Sequence, residues 1–67
     1  MKPCDEIVKK TIDLAEKMLD LADEGDAVRE DTNCGVLYSV LRDSGYRIKQ
    51  FAEAEREAHI KKGWWKD

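Results

Sequence analysis

Residues 3–25 read PCDEIVKKTIDLAEKMLDLADEG, and the period of their apolar positions decides the fold. Ile7, Val8, Ile12, Leu14, Ala15, Met18, Leu19, Leu21 and Ala22 recur at three- and four-residue spacing. At about 100° per residue, and with Thr11 among them, they fill an arc of roughly 180°. Lys9, Lys10, Asp13, Glu16, Lys17, Asp20, Asp23 and Glu24 take the opposite arc. This is an amphipathic helix. Pro3 suits its first position, where a missing N–H costs nothing. Asp5 and Glu6 complement the positive end of the helix dipole. Asp5–Lys9, Glu6–Lys10 and Asp13–Lys17 have the favourable i, i+4 order, and Gly25 supplies a C-terminal cap.

Half a circumference of apolar surface exceeds what one neighbouring helix covers. The chain offers one other long helix. Leu37, Leu41, Ser44, Ile48, Phe51 and Glu55 follow an unbroken 4-3-4-3-4 spacing, flanked by Val40, Ala52, Ala58 and His59. Asp31, Thr32 and Asn33 give a choice of N-caps, and Lys61-Lys62-Gly63 is a stop signal. The phase runs straight through Asp43-Ser44-Gly45, so Gly45 is read as a point of close helix approach and not as a break.

The expectation is an all-α single domain over residues 1–67. It comprises a helix over about 3–24, a connection over about 25–32, a helix over about 33–62 and an aromatic tail over 63–67. A short connection makes the helices antiparallel neighbours. The uncovered half of the first helix then predicts that two hairpins dimerise into a four-helix bundle.

Composition narrows the function classes. The chain has 67 residues, too few for a large core without a staple, a metal or a partner. Charged residues make up 40% of it, and Gly plus Pro only five positions, which suits surface helices and not disorder. The start carries no apolar signal core and no stretch is long enough to span a bilayer. A cytoplasmic setting with reduced thiols is therefore expected. Residues 1–24 hold seven acids against four bases, whereas residues 46–67 hold six bases against four acids. Such a balance lacks the clearly basic face of a nucleic-acid binder; Arg42, Arg47 and Lys49 form at most a modest patch. No Ser-His-Asp order or Gly-rich phosphate loop occurs, and the chain has one histidine. The reading is a non-catalytic protein that acts by self-association and protein–protein contact, with no cofactor required.

A chemical alternative rests on four residues. Glu55 and His59 lie four apart on one helix face, and an antiparallel hairpin brings them beside Cys4. A second hairpin packed head to tail adds the partner's Cys34. Thiolate, imidazole and carboxylate together suit zinc, and less readily iron. The same cysteines, each in the first turn of a helix, admit a thiol redox sensor, because a helix N-terminus stabilises thiolate. As buried filler, each would be a small apolar group. Trp64 and Trp65 follow the stop glycine. They either fold back on the last turn as a capping contact or form an aromatic handle for a partner.

Overall fold

The computed structural model of the chain describes residues 2–28 and 30–65. Two helices, α1 (Pro3–Val28) and α2 (Thr32–Lys61), form an antiparallel hairpin measuring 48 × 15 × 14 Å. Neither is long and apolar enough to cross a membrane. The N-cap of α2 is Asp31, whose carboxylate accepts the Cys34 N–H at 2.8 Å. At the other end a Schellman motif closes the helix. The Gly63 N–H donates to the Ile60 carbonyl and the Trp64 N–H to the His59 carbonyl, both at 3.0 Å. Gly63 has φ 77°, a backbone conformation that side chains disfavour.

The first helix is longer than expected. It runs through Gly25 to Val28, so Gly25 is an interior position and not a cap. Its missing side chain has a packing use. A Cβ there would lie 2.3 Å from the Tyr38 ring, which rests against the bare backbone. Gly45 does the same for the helices themselves. Its Cβ would come 3.0 Å from Leu19 Cδ2 and 3.3 Å from the Ala15 carbonyl oxygen. α2 is continuous across Asp43-Ser44-Gly45, and this is where the two backbones come close.

The seam differs from the expected one on α2. Every fully buried position of α2 lies on the series Gly35, Tyr38, Arg42, Gly45, Lys49, Ala52, Arg56 and His59. The stripe Leu37, Leu41, Ser44, Ile48, Phe51, Glu55 sits one residue earlier along the chain. Leu37 is 58% exposed and Phe51 77% exposed. On α1 the seam is Asp5, Val8, Ile12, Ala15, Leu19, Ala22 and Asp26. Cys4, Ile7, Thr11, Leu14, Met18 and Leu21 again sit one residue earlier, and Ile7, Leu14 and Leu21 are each more than half exposed. Small residues occupy the centre of the seam because only they let the helices approach. Among the described residues the buried apolar ones are Ala15, Ala22 and Ala52.

One residue is about 100° of rotation. In an antiparallel pair, equal rotation from the seam carries both stripes to the same side of the hairpin. The result is one apolar face built from both helices. On α1 the positions one residue after the seam are Glu6, Lys9, Asp13, Glu16, Asp20, Asp23 and Ala27, all but the last charged. This opposite face is tied by ion pairs. Arg42 bonds Asp23 at 2.8 Å and Asp26 at 2.7 Å, and Lys49 lies 3.8 Å from Glu16. Bonding to Asp23 first, then Asp26, raises the Arg42 pKa further, so it stays charged. The expected basic patch is thereby dispersed: Arg42 and Lys49 turn to acids of α1.

Candidate functional site

The open end of the hairpin, where α1 begins and α2 stops, gathers Cys4, Asp5 and His59. Asp5 sits in the first turn of α1, in line with Val8, Ile12 and Ala15, so its side chain points into the seam. It is fully buried. The sequence reading placed it at the surface, paired with Lys9 and the dipole; the structure instead bonds it to His59 Nδ1 across the hairpin. Its second oxygen, Oδ2, is buried without a hydrogen-bond partner.

His59 is 8% exposed and held on several sides. Asp5 meets Nδ1, and Glu55 Oε2 lies 3.5 Å from Nε2. The Trp64 ring packs on the imidazole with centroids 5.1 Å apart. The Schellman turn sets this position, since the Trp64 N–H is the group that bonds the His59 carbonyl. The Lys2 and Lys62 ammonium groups lie 3.9 and 4.5 Å from the Trp64 ring. Trp65 is half-buried beside a shallow groove lined by Lys9, Ile12, Asp13, Glu16 and Arg56. The Arg56 guanidinium lies 5.7 Å from its ring. Both indoles thus fold back onto the helix ends.

Cys4 completes the cluster from the exposed side. Its Sγ donates weakly to Asp5 Oδ1 at 3.8 Å. Ligand atoms of Cys4, Asp5 and His59 lie within 4.8 Å of one another. The structure therefore brings together Cys4, His59 and Glu55 and adds Asp5, which sequence reasoning missed. The one available signal was spacing: Asp5 continues the Val8-Ile12-Ala15 line.

Cys34 is elsewhere. It lies in the first turn of α2, at the loop end of the hairpin. Its environment also opposes the thiolate expected at a helix N-terminus. Hydrogen bonding to the Asp31 carboxylate, then partial burial and the Asp31 charge, push the Cys34 thiol pKa up. Asp31 itself is pushed down, chiefly by the Cys34 N–H it accepts. Both cysteines are free thiols.

Compared with family models, curated proteins and solved structures, the chain matches none.

Proposed function

We propose that this chain is a non-catalytic helical interaction module whose apolar face binds a second copy, forming a dimeric four-helix bundle. The supporting observation is the apolar face itself. Ile7, Leu14, Leu21, Leu37 and Phe51 are exposed on one side, while the seam buries only alanine among apolar residues. A face of 48 by 15 Å offers roughly 700 Å². Stable pairs bury about 800 Å² per partner. Covering five half-exposed large side chains adds on the order of 5 kcal/mol per chain, as much as the whole net stability of a small domain.

A second copy suits this face because on α1 it lies opposite a run of charged positions. Two such layers enclose one core and leave those charged positions in water. Trp64 and Trp65 are assigned to closing the open end of each hairpin, with residual aromatic surface left for a further protein partner. The acidic α1 face carries no case for nucleic acid or anionic membrane.

Phe51→Lys tests the reading. Phe51 is 77% exposed in the hairpin, so alone the change costs about 0.5 kcal/mol or less. In the bundle it places a charge in the core, and the protein loses both its dimer mass and its cooperative melt. A variant that stays dimeric with an unchanged melting temperature removes the proposed face from the function.

A further inference from the structure

We propose that Cys4, Asp5 and His59 form a Zn(II) site at the open end of the hairpin. The site lies within one chain and takes no ligand from a second copy. The donor set has the right chemistry: thiolate, carboxylate and imidazole suit zinc, whereas calcium and magnesium prefer oxygen alone. With Cys4 as thiolate and Asp5 ionised, two negative charges balance the metal's two positive ones. That neutrality suits a site with two buried members.

The geometry favours it in three ways. Zinc bonds of about 2.0–2.3 Å place tetrahedral ligand atoms about 3.3–3.8 Å apart. Cys4 Sγ and Asp5 Oδ1 are 3.8 Å apart, and ligand atoms of Cys4, Asp5 and His59 lie within 4.8 Å of one another. Asp5 and His59 Nδ1, which are in direct contact, need only separate to admit the ion. Asp5 Oδ2 is fully buried in the cluster and has no hydrogen-bond partner, which a direct Asp5–His59 bond leaves unexplained. Glu55 stands 3.5 Å from Nε2, the other ring nitrogen. A metal-bound histidine commonly donates its second N–H to a carboxylate, which fixes its tautomer and orientation.

On binding, the ion takes the position between Asp5 and His59 Nδ1. The ring proton resides on Nε2, on the side of the Glu55 carboxylate, and Cys4 releases its thiol proton to solvent. Three protein ligands leave the fourth position to water, on the exposed Cys4 side. Trp64 shields the imidazole from behind.

The test is a Co(II) titration of the reduced full chain carrying Cys34→Ser, which leaves Cys4 as the only thiol. The expected result is one equivalent per chain with a thiolate charge-transfer band and tetrahedral d–d absorption, both abolished by Zn(II). His59→Gln, checked for helicity by circular dichroism, weakens Co(II) affinity at least tenfold. Cys4→Ser in the same background removes the band and the rise in melting temperature that Zn(II) produces. Cys4 is exposed, so this variant keeps its fold. The proposal is overturned if the Cys34→Ser chain shows no charge-transfer band. It is equally overturned if the band survives His59→Gln unchanged, since the thiol then binds metal without the cluster.

Discussion

A single residue decides the character of Cys34. Cys34 has a helix N-terminus, which favours thiolate, and a capping carboxylate, which opposes it. The carboxylate wins because it touches the thiol, whereas the dipole is spread over the turn. Asp31→Asn separates the two, since asparagine caps as well as aspartate. The Cys34 pKa falls and its alkylation rate at mildly alkaline pH rises several-fold, with Cys4 as internal reference. The linkage signs follow from the two shifts. Asp31, lowered by folding, contributes stability present above its unfolded pKa and lost as pH falls through the folded one. Cys34, raised by folding, contributes below its unfolded pKa and loses that contribution as pH rises. Asp31→Asn therefore flattens the stability profile at both ends, which urea titrations across pH measure.

Asp5 illustrates what a residue-level reading misses. An acidic residue in the first turn of a helix normally faces water and the dipole. Only its register on the α1 seam distinguished it. His59 and Glu55 were legible because they lie four apart near a stop signal, and Cys4 because the hairpin puts the chain's two ends together. Cutting the pair with His59→Gln leaves Asp5 buried without its partner. Leaving a buried hydrogen-bonding group without its partner costs about 1–3 kcal/mol, measurable by denaturant unfolding.

At the scale of the element, periodicity located both helices and the continuity of α2 through Gly45. It did not locate the α2 seam. Apolar pattern marks where large hydrophobic side chains are, and here those residues lie to one side of the hairpin contact. The contact itself uses Gly35, Gly45 and Ala52 for closeness, with Arg42 and Lys49 reaching past it to acids of α1. Gly25 was misread for a related reason. Glycine after an apolar run resembles a cap, whereas here it makes room for Tyr38.

Gly45 gives this account a graded test. In Gly45→Ala the helix-propensity gain of about 1 kcal/mol offsets a tight fit against Leu19, so stability stays within about 1 kcal/mol. Gly45→Val drives branched atoms against the Ala15 carbonyl, which cannot swing aside. It destabilises by about 2 kcal/mol, on the scale of core overpacking. Thermal or urea melts that rank valine equal to alanine remove the close-approach role.

At the scale of the whole molecule, the width of the α1 apolar arc was the signal that mattered. The structure resolves that arc into two parts. One faces α2, and the other joins the Leu37–Phe51 stripe to form a single outer face. A hairpin whose largest fully buried side chain, among the described residues, is an aspartate has little core of its own. On the proposed reading folding and pairing are coupled, and the melting temperature is expected to rise with protein concentration.

Sedimentation equilibrium of the reduced full chain, from low micromolar upward, tests this most directly. The account predicts a single species of twice the 7.7 kDa chain mass, dissociating only together with loss of helicity on dilution. A fully helical monomer with a sharp melt across that range contradicts it.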